Sequence, residues 1–164
     1  MRDGQIGPVQ YSVGFSMNRL RTFHLIVGVS GLIAFLLSGQ YMHHFLGHLK
    51  DMSDGPRLLY RSAHIYLIFA SLLNLLLSSY LIPVSRGRAR YFQVAASLML
   101  MLAPAFIGFS FFSESNVQEL FRPVVRIGIY IAAAGCIMHA FVSSIVRRKN
   151  GQSDSLLHSN AKGH

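Results

Sequence analysis

Residues 40–64 read QYMHHFLGHLKDMSDGPRLLYRSAH and join two long apolar runs of the chain. The stretch holds four of the eight histidines and charges of both signs, whereas the runs on either side of it are almost uncharged. A polar segment between two such runs is typical of a connection between membrane-spanning helices. The fold therefore depends on the length and composition of the runs that this stretch separates.

Four apolar runs make up most of the 164 residues, at 23–40, 63–82, 91–112 and 123–146. A helix that rises about 1.5 Å per residue needs roughly 20 residues to cross a hydrocarbon core about 30 Å thick. A soluble bundle would carry a polar stripe on every helix, and these runs lack one. The sequence predicts an all-α polytopic membrane protein with four transmembrane helices in an up-down bundle.

Three regions follow from this pattern. Residues 1–18 mix Gly, Pro, Gln and Ser without periodicity, which predicts a flexible N-terminal segment. Residues 19–146 form the four-helix transmembrane domain, and the polar residues 147–164 are predicted to be a disordered tail. The first run begins late and three more follow it, so it does not resemble a cleaved signal peptide.

The distribution of basic residues predicts the orientation of the bundle. Ten of the fifteen Lys and Arg residues fall in the N-terminal segment, the second connection and the tail. Because Lys and Arg favour the cytoplasmic side, we expect both termini in the cytoplasm. The short connections favour a bacterial cytoplasmic (inner) membrane. This distribution also accounts for the net charge of +9, so nucleic acid is not an expected partner.

The two halves of the chain share short patterns. Arg-x-Arg-x-Phe followed by a polar residue occurs at 19–24 and at 88–93. Arg-x-x-x-Arg with a following Ile-Tyr pair occurs from Arg57 and again from Arg122. These patterns favour two duplicated helical hairpins, and the alternative is that similar helix-end signals arose independently.

Two arginines occupy corresponding positions in these halves, Arg61 and Arg126. One interpretation is that both side chains extend to the membrane surface. The other is that they point into the bundle and pair with Glu114, Glu119 or Asp54. Two such inward arginines would form a site for an anionic head group, a carboxylate or a polar ring such as that of a quinone.

The histidines of the opening stretch form a candidate metal site. His44 and His48 are four residues apart, a spacing that places two imidazoles on one helix face, and His43 and His64 lie nearby. A zinc or copper site made by these four residues is one hypothesis. The alternative is a set of polar surface histidines, since no Cys-x-x-Cys or His-Glu-x-x-His pattern accompanies them.

Haem is a further candidate cofactor. His24 and His139 lie on faces rich in small residues, and His64 lies near the opposite end of the bundle, so all three are candidate cofactor ligands together with the two arginines. A bis-histidine haem needs ligands at matching depth. His24 lies about one helical turn from the end of its run and His139 about two or more, which weakens this hypothesis.

Two polar or irregular positions inside the runs have structural interpretations. Asn74 lies near the centre of the second run, where an unpaired amide is costly, so we expect it to hydrogen-bond to another helix. Pro104 lies inside the third run and should leave a carbonyl without its partner one turn earlier.

The function predicted from these features is that of an accessory, assembly or partner-binding membrane protein. Its faces of small residues favour a membrane-protein partner or a homo-oligomer. No Gly-x-Ser-x-Gly or phosphate-loop motif occurs, and the absence of Asp and Glu from the runs argues against a proton-coupled pump. The alternative function is a redox or metal-handling protein, and a small transporter is a third possibility.

Overall fold

The computed structural model describes the backbone of residues 10–82, 84, 87–114 and 122–161, and the side chains of these ranges between 19 and 148. All regular structure in these ranges is helical, so the prediction of an all-α fold is confirmed. The four long helices are α1 (Gln10–His44), α2 (Asp54–Tyr80), α3 (Arg88–Ser113) and α4 (Pro123–Ala161). A short 3-10 turn, Gly47–Leu49, lies between α1 and α2.

Each of the four helices contains a segment of 26 or 27 residues that is long and apolar enough to cross a membrane. The segments are Arg19–His44, Asp54–Tyr80, Arg88–Ser113 and Pro123–Arg148. Large apolar side chains point outward along them, as at Leu37, Ile137 and Phe141, whose exposed fractions are 64%, 70% and 67%. Lipid is the solvent that such a surface requires. The chain is a polytopic membrane protein, as the sequence predicts.

Two of the helices extend beyond the transmembrane segments. α1 begins at Gln10, inside the predicted flexible segment 1–18, and α4 continues to Ala161, inside the predicted tail 147–164. The candidate membrane spans extend from Arg19 to Arg148. The division of the chain into a transmembrane domain and two end segments stays a prediction.

The bundle consists of two tight antiparallel hairpins, α1–α2 and α3–α4, which meet mainly through α2 and α3. The end of α1 and the start of α2 lie at the same end of the bundle as the end of α3 and the start of α4, and this end is here called the histidine end. The end of α2 and the start of α3 lie at the other, here called the tail end. Since lipid removes the hydrophobic drive between helices, close packing of small residues has to hold them together.

Glycines provide that packing in both hairpins. A methyl group at Gly28 would lie 2.7 Å from Leu75 Cγ, and one at Gly31 would overlap the hydroxyl of Ser71. In the second hairpin, a methyl group at Gly135 would lie 2.8 Å from Leu100 Cγ and 3.0 Å from a backbone oxygen of α3. The helices of each hairpin therefore approach as closely as their backbones allow.

The two hairpins share one interhelical register. Gly31 of α1 meets Ser71 of α2, and the residues numbered 69 and 64 higher, Leu100 and Gly135, meet in the second hairpin. The same two offsets relate two further contacts of the first hairpin to contacts of the second. Gly28–Leu75 corresponds to Ser97–His139, and Ser38–His64 corresponds to Ile107–Gly128.

We predict that Gly135→Ala destabilises the bundle by about 1–3 kcal/mol, because the added methyl group must push α3 and α4 apart. The free energy of unfolding in mixed micelles measures this effect. Gly108→Ala is the matched control, since its methyl group would meet only Leu67 Cδ1 at 3.9 Å. A loss of stability in the control as large as in Gly135→Ala would contradict the packing argument.

Candidate functional site

One polar side chain from each helix meets the others in the core, towards the tail end. The four residues are His24, Asn74, Ser97 and His139, and none of them is more than 7% exposed. His24 Nδ1 lies 2.8 Å from Asn74 Oδ1, and Ser97 Oγ lies 3.1 Å from His139 Nε2. The two imidazole centroids are 6.3 Å apart. The cluster connects all four helices.

Asn74 is the centre of this cluster because it satisfies a carbonyl that α3 cannot satisfy itself. Pro104 has no N–H to donate to Leu100 O, the acceptor four residues earlier. Asn74 Nδ2 donates to that oxygen at 2.8 Å and to Ala70 O at 2.9 Å. The side-chain amide of α2 thus replaces the missing hydrogen bond of α3 and joins the two hairpins.

The same geometry determines the tautomer of His24. Since the Asn74 amide nitrogen faces two carbonyls, its oxygen faces His24 Nδ1, which must donate the hydrogen bond. His24 Nε2 is then unprotonated, and its lone pair is buried without a hydrogen-bond partner among the described residues. Because Asn74 fixes the ring, this lone pair has a defined direction.

Haem ligation by His24 and His139 stays a prediction. The structure places His24 and His139 side by side, although the sequence set them at different depths. The cavity beside them, between α2 and α4, has a volume of about 190 Å³ and is lined by His139 but not by His24. In the structure both rings are held by hydrogen bonds, His24 to Asn74 and His139 to Ser97.

His64 lies apart from the other histidines of the opening stretch. Its ring stacks on Phe35, with centroids 4.0 Å apart, and its Nδ1 lies 2.8 Å from Ser38 Oγ. The residue therefore packs between α1 and α2, inside the first hairpin. The structure does not bring it to His43, His44 or His48.

Those three histidines do come together at the histidine end, where all are exposed. His43 Nδ1 and His48 Nδ1 are 3.3 Å apart, and the rings of His43 and His44 have centroids 4.6 Å apart. Among the described residues, no group of three or more His, Cys, Asp or Glu side chains is arranged to hold a metal ion as it stands. Of the four predicted metal ligands, His43 and His48 thus lie close together, His44 lies beside His43, and His64 lies elsewhere.

The backbone that carries His48 is strained. His48 and Leu49 have φ angles of 59° and 63°, a region that non-glycine residues rarely adopt and that costs about 1–3 kcal/mol for each residue. Arg57 holds this conformation by donating to three carbonyls, Leu49 O at 3.1 Å, Lys50 O at 3.2 Å and Met52 O at 2.7 Å. Sequence patterns missed this role because it depends on the path of the loop.

Arg122, the counterpart of Arg57 in the second half, is also a structural residue. It is 5% exposed, and its Nη1 donates to Ser62 Oγ at 2.8 Å and to Leu59 O at 3.2 Å. Its Nε lies 3.9 Å from Glu114 Oε2, and the Glu114 carboxylate accepts the first free N–H groups of α4. Burial lowers the pKa of Arg122 and the neighbouring carboxylate opposes this, so the guanidinium keeps its charge.

Arg61 and Arg126, the two predicted site arginines, are exposed at the histidine end. They lie one helical turn before Ile65 and Ile129, on the same faces of α2 and α4. Those two isoleucines line an apolar groove of about 580 Å³ between α2 and α4, with Ile107 of α3 among its lining residues. The arginines therefore flank the histidine end of the groove, outside the bundle.

The groove continues towards the tail end. Leu73 and Cys136 line both it and the smaller cavity that ends at Tyr80 and His139. The groove exists because α2 and α4 belong to different hairpins and touch only sparingly. Sequence reasoning missed it, since no residue pattern reports how far apart two helices of different hairpins lie.

Comparison with protein families, with curated proteins and with solved structures finds no match to this chain.

We predict that Asn74→Leu lowers the free energy of unfolding by about 1–2 kcal/mol, because it leaves Leu100 O and His24 Nδ1 unpaired. Combining it with Pro104→Ala should reduce that loss, since an alanine N–H can satisfy the Leu100 carbonyl. Ser79→Ala, at an exposed position of the same helix, is the control and should change stability by less than about 0.5 kcal/mol. Equal losses for Asn74→Leu with and without Pro104→Ala would show that the carbonyl does not depend on the amide.

Proposed function

We propose that this chain is a small accessory membrane protein without catalytic activity, whose α2–α4 groove binds one transmembrane helix of a partner protein. The observation that carries this proposal is the groove itself. It is apolar, it opens towards lipid, and it runs along two helices that leave a space between them.

The length of the groove favours a helix over a lipid chain. From Ile65 to Tyr80 the wall formed by α2 spans about 22 Å at 1.5 Å per residue. A lipid chain occupies one leaflet, roughly half of a hydrocarbon core about 30 Å thick, whereas a transmembrane helix crosses both. Several lining residues of the groove have small side chains, which would let the backbone of a bound helix approach α2 and α4. These residues are Ala70, Ala132, Ala133 and Cys136.

Charge favours a partner protein over a second copy of the chain. A twofold dimer would place the same surface on both sides of the interface. Arg61, which is exposed, would then lie at the same end of the interface in both copies, and such like-charge contacts are unfavourable. A partner helix with Asp or Glu at the matching end would instead be attracted.

We predict that a photoreactive benzoyl-phenylalanine at Ala133 crosslinks in native membranes to one partner of defined mass. The crosslinked peptide should be an apolar segment with Asp or Glu near the matching end. The same probe at Leu36, which is 63% exposed on α1 and outside the groove, is the matched control.

Two variants test the cause of that crosslink. Ala132→Trp should abolish it by filling the groove, and Arg61→Glu should weaken it strongly. Purification of the variants as monodisperse helical proteins separates loss of binding from loss of fold. An adduct of lipid alone, a dimer of the chain, or equal labelling from Leu36 would each overturn the proposal.

We also infer that the two hairpins arose by duplication of one. The shared register of their contacts supports this, since the offsets of 69 and 64 residues recur at three depths. The short arginine patterns at the helix ends show similar offsets. Repeats of this kind are related by an axis along the membrane normal when both hairpins insert in the same direction.

The chain is further proposed to lie in a bacterial cytoplasmic membrane with both termini in the cytoplasm. The helix ends at the tail end carry a concentration of arginines, which supports this orientation. They are Arg19, Arg21, Arg88, Arg90, Arg147 and Arg148.

We predict that a cysteine placed at the exposed Ser53, in a Cys136→Ser background, reacts with a membrane-impermeant maleimide in intact spheroplasts. The basis is that residues 45–53 lie at the less basic end of the bundle. Gel-shift labelling before and after lysis measures the accessible fraction. Labelling that appears only after lysis would show that the topology is inverted.

A further inference from the structure

The exposed pair His43 and His48 has the spacing of two ligands on one metal ion. Their Nδ1 atoms are 3.3 Å apart. Two nitrogens that each lie about 2.0–2.1 Å from a tetrahedral ion are separated by about 3.3–3.4 Å. Rotation of the exposed side chains can direct both lone pairs at such an ion, because the two rings already lie side by side, with centroids 4.0 Å apart.

We propose that His43 and His48 chelate one divalent transition-metal ion at the histidine end, with His44 as a third ligand after rotation of its side chain. The His44 ring centroid is 4.6 Å from that of His43, so a third imidazole already lies beside the pair. Solvent completes the coordination. His64, which bonds to Ser38 inside the first hairpin, takes no part.

The loop is built to hold His48 in this position. Gly47, His48 and Leu49 form a continuous run of positive φ angles, at 51°, 59° and 63°. On one side of His48 the last turn of α1 carries His43, and on the other Leu49 is 3% exposed and packs with Tyr60. The three hydrogen bonds from Arg57 then fix the carbonyls that follow. The buried Leu49 side chain and Arg57 thus fix the backbone of His48 relative to the end of α1, and strain of this kind is common at functional sites.

The donor set defines the class of ion. Neutral imidazole nitrogens suit Zn²⁺, Cu²⁺ and Ni²⁺, whereas Mg²⁺ and Ca²⁺ take oxygen ligands. With two or three imidazoles and open positions, Cu²⁺ should bind most tightly by the general affinity order of divalent metals. The site is exposed, so the ion is exchangeable.

The test uses the full chain in nanodiscs of neutral lipid, in a His158→Asn and His164→Asn background that removes the tail histidines. Titration with Cu²⁺, followed by electron paramagnetic resonance, and with Zn²⁺, followed by calorimetry, should give one ion per chain. The copper spectrum should show coupling to at least two nitrogens.

Two variants remove the imidazoles without disturbing the fold. His48→Asn keeps a residue that tolerates a positive φ angle, and His43→Gln keeps a polar side chain at an exposed helix position. Each should weaken binding by more than about tenfold, as loss of a supporting contact alone already does. His64→Gln is the control and should leave the affinity unchanged.

Three results would overturn the proposal: no saturable binding, a copper spectrum without nitrogen coupling, or unchanged affinity in His48→Asn. The groove between α2 and α4 is not involved in this site. A failure here therefore leaves the partner-helix proposal intact, and a failure of the crosslinking experiment leaves this one intact.

Discussion

The hydrogen bonds of Asn74 are the interaction on which the rest of the bundle depends. Pro104 leaves the Leu100 carbonyl without a donor in α3, and the amide of α2 supplies one while its oxygen holds His24 of α1. In hydrocarbon no water is present to hydrogen-bond an unpaired carbonyl. The hydrogen bond that α3 lacks at Pro104 is therefore tolerated only because another helix supplies a donor. Two hairpins that pack internally through glycine are thereby fixed to each other.

Much of this fold could be predicted from the sequence, and the reason is the membrane itself. A helix that crosses the bilayer must be apolar and about as long as the bilayer is thick. The number and approximate limits of the transmembrane helices can therefore be read from the four runs without tertiary information. Asn74 as a link between helices and Pro104 as the source of a free carbonyl were also predictable separately. That they satisfy each other was not, because it depends on the register of α2 against α3, which close packing sets.

The site was less predictable than the fold. Sequence spacing grouped His64 with His43, His44 and His48. His64, however, lies further inside the first hairpin, where its ring stacks on Phe35 and not on another histidine. The arginine pattern pointed to Arg61 and Arg126, whereas Arg57 and Arg122 bind backbone carbonyls of the connections and of α2. Arginines one helical turn apart thus have different roles, since the first of each pair binds backbone carbonyls and the second faces outward. The sequence pattern alone does not distinguish the two roles, because they depend on the path of the neighbouring backbone.

The position of the groove has a consequence for the order of events during biogenesis. One wall belongs to the first hairpin and the other to the second, with α3 between them. A chain that has inserted only α1 and α2, or whose hairpins have not yet docked, does not possess this surface at all. A helix that binds this surface, as we propose for the partner, would therefore distinguish a completed bundle from a half-made one and could bind only after α4 has been inserted.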